Sequence, residues 1–79
     1  MERADETFMT LALDEARRAG EIGEVPIGAV VVCEGAVIAT GYNRREVDRD
    51  PAGHAELIAI REAARKLGRW RLSDCTVYV

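Results

Sequence analysis

Histidine occurs once in this 79-residue sequence, cysteine occurs only twice, and positive charge is in deficit. Each shortage closes off a class. No apolar run approaches the roughly 20 residues that a membrane-spanning helix needs. The opening Met1-Glu2-Arg3-Ala4-Asp5-Glu6 is charged and polar, unlike a secretory leader. Cys33 and Cys75 lie far apart, each in an apolar run. They form neither a disulfide framework nor a closely spaced zinc pair, and they read as buried, reduced thiols. A formal charge of −3 argues against bulk electrostatic capture of nucleic acid. No internal repeat or low-complexity segment is visible. These features predict one small soluble, cytoplasmic domain, with a core that is marginal without metal or a partner.

The cations that are present are unevenly spread. Arg44 and Arg45 sit together, and Arg61, Arg65, Lys66, Arg69 and Arg71 cluster later. They read most simply as a solvated helix face with cations at its C-terminal end. A local phosphate-contacting patch is the functional alternative.

Hydrophobic periodicity divides the chain into five elements. Phe8, Leu11, Ala12, Ala16 and Ala19 recur at helical spacing between about Asp5 and Ala19, and Gly20 is a natural stop. Ile27 to Cys33 is a valine-rich run typical of a buried strand. Glu34-Gly35 turns the chain, and Ala36 to Thr40 returns as the second half of a hairpin. A charged loop then leads to Pro51; loops of that length in small domains usually carry function. From His54 to Leu67 the pattern is helical again, with Leu57, Ile60, Ala64 and Leu67 as its expected buried stripe and Gly68 as its cap. Cys75 to Val79 is a strand. The order helix, strand, strand, helix, strand predicts a layered α/β domain. The strand–helix–strand crossover predicts that the third strand runs parallel to an earlier one. Joined to the first strand, it would be expected to sit inside a sheet, covered on its far side, because an open apolar edge is adhesive.

The segment Asp50-Pro51-Ala52-Gly53-His54-Ala55-Glu56 carries the candidate chemistry. A histidine that can bind a metal is followed two residues later by a carboxylate that can move a proton. Residues two apart on a regular helix point to nearly opposite sides. For both to serve one point, His54 must stand at the helix start, where the chain is still bending in, with Glu56 in the first turn. The positive end of the helix dipole there favours an anion and disfavours a charged imidazole.

Four blocks closely resemble the bacterial tRNA adenosine deaminases of the zinc-dependent cytidine and deoxycytidylate deaminase superfamily. They are Glu24-Val25-Pro26-Ile27-Gly28-Ala29-Val30-Val31-Val32, Gly41-Tyr42-Asn43-Arg44, the His54 segment, and Arg71-Leu72 through Thr76-Val77-Tyr78-Val79. The resemblance covers nearly the whole chain and implies a cytidine-deaminase-like layered α/β domain. It implies His54 as a zinc ligand and Glu56 as the catalytic proton shuttle, with Asn43, Ile27 and Ala55 contacting the substrate. The family's two cysteine ligands come from a Pro-Cys-x-x-Cys segment, which this sequence does not contain, and neither Cys33 nor Cys75 matches it by motif. The expectation is therefore that residues 1–79 are the N-terminal part of one zinc deaminase domain, truncated after the third strand. A single imidazole does not hold catalytic zinc, so the chain alone is expected to be inactive. The function implied for the complete enzyme is hydrolytic deamination of adenosine to inosine at the tRNA wobble position, with the anticodon loop as partner and a homodimer as assembly. Deamination of a free base or nucleotide (cytidine, deoxycytidylate, cytosine or guanine) is the alternative, as is an inactive remnant or binding fragment that offers its open strand to another sheet.

Overall fold

The computed structural model describes residues 3–79; Met1 and Glu2, part of the charged start, lie outside the described residues. Five elements follow in order: α1 (Arg3–Glu21), β1 (Gly28–Cys33), β2 (Ala36–Tyr42), α2 (Ala55–Leu67) and β3 (Cys75–Tyr78). The element order matches the periodicity, and the solved relatives described below share the fold.

The sheet has the order β2-β1-β3, and both pairings are antiparallel. The third strand does run parallel to an earlier one, as the crossover predicts, but no parallel pair is hydrogen-bonded. β3 shares its direction with β2, the strand that precedes α2, but it bonds to β1, which lies between them and runs the other way. The crossover thus sets the direction of β3 and not its hydrogen-bonding partner. Among the described residues no strand lies beyond β3.

β1 is buried along its whole length, because a helix covers each face. Alternation along the strand decides which residue meets which helix. Ala29 and Val31 join Ala39 and the alanines of α2 in the main core. Gly28 faces α1: a Cβ there would lie 2.3 Å from the Ala12 carbonyl oxygen and from the Ala16 nitrogen. Gly41 plays the same part under α2, where a Cβ would lie 2.5 Å from the Ala55 oxygen. Both helices therefore rest directly on strand backbone, an approach only glycine permits.

That contact corrects the expected stripe of α2. The fully buried residues are Ala55, Ala59 and Ala63, while Leu57 is exposed and Ile60 is only half-buried against the core. A helix lying this close to the sheet has room for methyl groups alone at the interface, so size overrides hydrophobicity. α1 shows a similar shift: Ala12 and Ala19 are buried, whereas Leu11 is exposed. Phe8 packs on Tyr78 with ring centroids 5.3 Å apart, and the Tyr78 hydroxyl donates to the Asp5 carboxylate. These two contacts fasten α1 to β3.

Candidate functional site

His54 is the N-cap of α2, with extended backbone (φ −81°, ψ 141°), and Glu56 lies in the first turn. This is the placement that the two-residue spacing required. The imidazole Nδ1 and the Glu56 Oε1 are 3.8 Å apart, and both side chains are a little over one-third exposed. They converge on one accessible point instead of diverging around the helix.

The His54 side chain makes no capping hydrogen bond. Asn43, just past the end of β2, supplies the acceptor from across the fold: its Oδ1 receives the Ala55 N–H at 2.9 Å. Asn43 is 2% exposed, and its own N–H donates to the Ile27 carbonyl at 3.1 Å. One buried amide thus links the residue before β1, the end of β2 and the start of α2. Leaving such a helical N–H without a partner costs about 1–3 kcal/mol. The link therefore fixes where His54 and Glu56 stand.

Four of the five sequence-derived site residues, His54, Ala55, Glu56 and Asn43, are brought together here. Ile27 reaches them through its backbone. Its side chain helps line an apolar pocket of about 200 Å³ with Met9, Leu13, Ala16 and Val79, and neither His54 nor Glu56 lines that pocket. Ala55 is wholly buried under the sheet, so its methyl is a packing contact in this chain.

The loop from 44 to 53 is pinned at several points. Glu24, buried although acidic, receives the Glu46 and Val47 N–H groups on one carboxylate oxygen at 2.8 and 2.7 Å. Arg44 N–H donates to the Gly53 carbonyl at 2.9 Å and closes the loop beside His54. The Arg44 guanidinium grips Asp48 with two bonds, at 2.9 and 3.0 Å, and also donates to the Tyr42 hydroxyl. These bonds hold the Asp48 carboxyl below the usual carboxylate value and push the Arg44 pKa up. The Asp50 carboxylate accepts the Ala52 N–H, a local turn that aims the chain into α2. Sequence reasoning assigned Glu24 no role. No local pattern pointed to one, because its partners lie more than twenty positions away.

This corner can carry one imidazole donor and one carboxylate, presented at a helix N-terminus. A catalytic zinc needs three protein ligands and an open fourth position. Among the described residues, the group of three metal-capable side chains that approach one another is Cys33, Asp74 and Cys75, and it excludes His54. The donors gathered at His54 therefore do not by themselves fit a catalytic zinc.

The chain was compared with known proteins. It is 49% identical over 75 residues to the tRNA-specific adenosine deaminase of Bacillus subtilis, covering 95% of this chain and 47% of that protein. It is 53% identical over 75 residues to the chloroplastic tRNA(adenine(34)) deaminase of Arabidopsis thaliana, of which it covers 6%. The chain thus spans half the length, or less, of these relatives. A solved structure from work on A-to-I editing by tRNA:A34 deaminases superposes with a TM-score of 0.89 at 51% identity, covering 92% of this chain and 53% of the other. Guanine deaminase from Bacillus subtilis superposes with a TM-score of 0.88 at 42% identity, covering 99% and 49%. No described helix is long and apolar enough to cross a membrane. Residues 2–79 match the cytidine and deoxycytidylate deaminase zinc-binding region, and the chain belongs to that family.

Proposed function

We propose that this chain is the N-terminal part of a cytoplasmic, zinc-dependent tRNA adenosine deaminase that converts the wobble adenosine to inosine by hydrolysis. The observation that carries the reading is the convergence of His54 and Glu56 at the α2 N-terminus, 3.8 Å apart, in a chain about half identical to tRNA-specific adenosine deaminases. His54 would supply one zinc donor, and the other two would come from a Pro-Cys-x-x-Cys segment outside this chain. Bound zinc would activate water for attack on the base. Glu56 would take a proton from that water, give one to the ring nitrogen and assist loss of ammonia. Asn43 would hold the nucleoside, with its amide oxygen already committed to the Ala55 N–H. Ile27 and Ala55 would shape the base pocket from behind. The anticodon loop would be the partner and a homodimer the assembly.

A free-base substrate is the second reading, and it is favoured by the close superposition on guanine deaminase. The two readings separate on substrate. The chain is to be reconstituted with a C-terminal segment bearing Pro-Cys-x-x-Cys and assayed on an anticodon stem-loop, guanine and cytidine. Inosine in the stem-loop alone supports the tRNA reading; turnover of guanine or cytidine alone overturns it.

A further inference from the structure

At the other end of the sheet, the register of β1 and β3 brings the two cysteines face to face. Cys33, the last residue of β1, pairs directly with Cys75, the first of β3. Five strand steps, about 17 Å, separate Cys33 from Gly28 at the His54 end. The two thiols are free. Asp74 lies between them: its Oδ2 is 3.5 Å from the Cys33 Sγ and its Oδ1 is 3.6 Å from the Cys75 Sγ. One donor atom from each of the three residues falls within 4.8 Å of the other two.

We propose that Cys33, Cys75 and Asp74 form a binding site for a thiophilic divalent cation, zinc first among them, with the fourth position open to solvent. With zinc–sulfur bonds of about 2.3 Å and a zinc–oxygen bond of about 2.0 Å, a tetrahedron has a sulfur-to-oxygen edge of about 3.5 Å. Each sulfur lies near that distance from a different Asp74 oxygen, so a small turn of the carboxylate would bring one oxygen toward both sulfurs. The charges suit that ion. Two thiolates and one carboxylate around a divalent cation leave one negative charge. Arg69 balances it, since its guanidinium donates to both Asp74 oxygens at 2.9 and 2.8 Å. That pairing holds Asp74 ionised, below the usual carboxylate value. Without a cation, burial and the neighbouring Cys75 and Asp74 push the Cys33 thiol up to about 11. The ion would displace a proton from each thiol on binding. A disulfide between the same residues would use neither Asp74 nor Arg69. Burial grades outward from Cys33, through the half-buried Cys75, to the exposed Asp74, so solvent ions have a path in. The site shares no residue with the His54 corner and does not rest on the function proposed above.

The test titrates the reduced chain with cobalt(II), then displaces the cobalt with zinc. The expected result is one equivalent bound, a thiolate-to-cobalt charge-transfer band in the near ultraviolet, and loss of that band on adding zinc. Cys75→Ala, at a half-buried strand start, is expected to abolish the band while far-ultraviolet circular dichroism stays unchanged. Asp74→Asn is expected to weaken binding by about tenfold or more. His54→Gln is expected to leave both band and stoichiometry intact. Bound zinc should also protect both thiols from alkylation. No thiolate band in the folded, reduced chain would overturn the proposal. A band that survives Cys75→Ala, or one lost in His54→Gln, would overturn it too. So would thiols that glutathione disulfide cross-links equally fast with and without zinc.

Discussion

At the scale of single residues, Asn43 does more than its place after a turn suggests. Its side chain is the acceptor that the α2 N-terminus lacks locally, because His54 is left free of capping. Asn43→Ala should therefore cost about 1–3 kcal/mol in urea unfolding, through an unpartnered Ala55 N–H. Loss of stability comparable to that of an exposed-site alanine would contradict this. The paired carboxyls make a second residue-scale prediction. Asp48 and Asp74 titrate in the folded chain below their ordinary value of 3.8, each because of its arginine partner. Within that interval the unfolded chain binds more protons than the folded one. The stability they contribute is complete above the ordinary carboxylate value and is lost as pH falls through the folded values. Acid unfolding followed by circular dichroism should show a shallower acid limb for Asp48→Asn and Asp74→Asn than for the native chain.

At the scale of elements, close contact between helix and strand governs the packing. α2 rests on Gly41 and α1 on Gly28, so a methyl group at either position meets helix backbone with no flexible atom to yield. Gly41→Ala should destabilise by about 1–3 kcal/mol or more, and it should displace α2 from Asn43. A chemical-shift change at Ala55 and His54 would report that displacement, and an unchanged spectrum would refute it. Glu24→Gln keeps the shape of the side chain but weakens the acceptor for two loop N–H groups. Faster amide exchange at Glu46 and Val47 is expected, with little change in the core strands.

This scale also shows how far the sequence could be read. The five elements and the His54–Glu56 geometry were legible because each depends on local spacing: period two, period 3.6, and the two-residue offset at a helix start. The buried face of α2 was misjudged because hydrophobicity favoured Leu57 and Leu67, whereas proximity to Gly41 demanded alanine. The direct pairing of Cys33 with Cys75 and the anchoring by Glu24 were not legible. Each depends on register between segments distant in sequence, and no local pattern encodes it.

At the scale of the whole molecule, the chain is a three-layer unit with β2 and β3 as the edge strands of its sheet among the described residues. Its sheet places the His54 corner at one end and the Cys33–Cys75 cluster at the other. The fold serves the proposed chemistry by bringing the start of β1, the end of β2 and the start of α2 to a single point through Asn43. The family match covers residues 2–79, so the positions that build this corner all fall within it.

The most direct measurement of the central claim is the single-turnover rate of inosine formation in an anticodon stem-loop by the chain reconstituted with its zinc-ligand segment, with Glu56 intact and as Glu56→Gln. A proton-transfer role for Glu56 predicts a loss of about 10²–10⁴-fold with zinc still bound. Rates within a few-fold of each other would contradict the account.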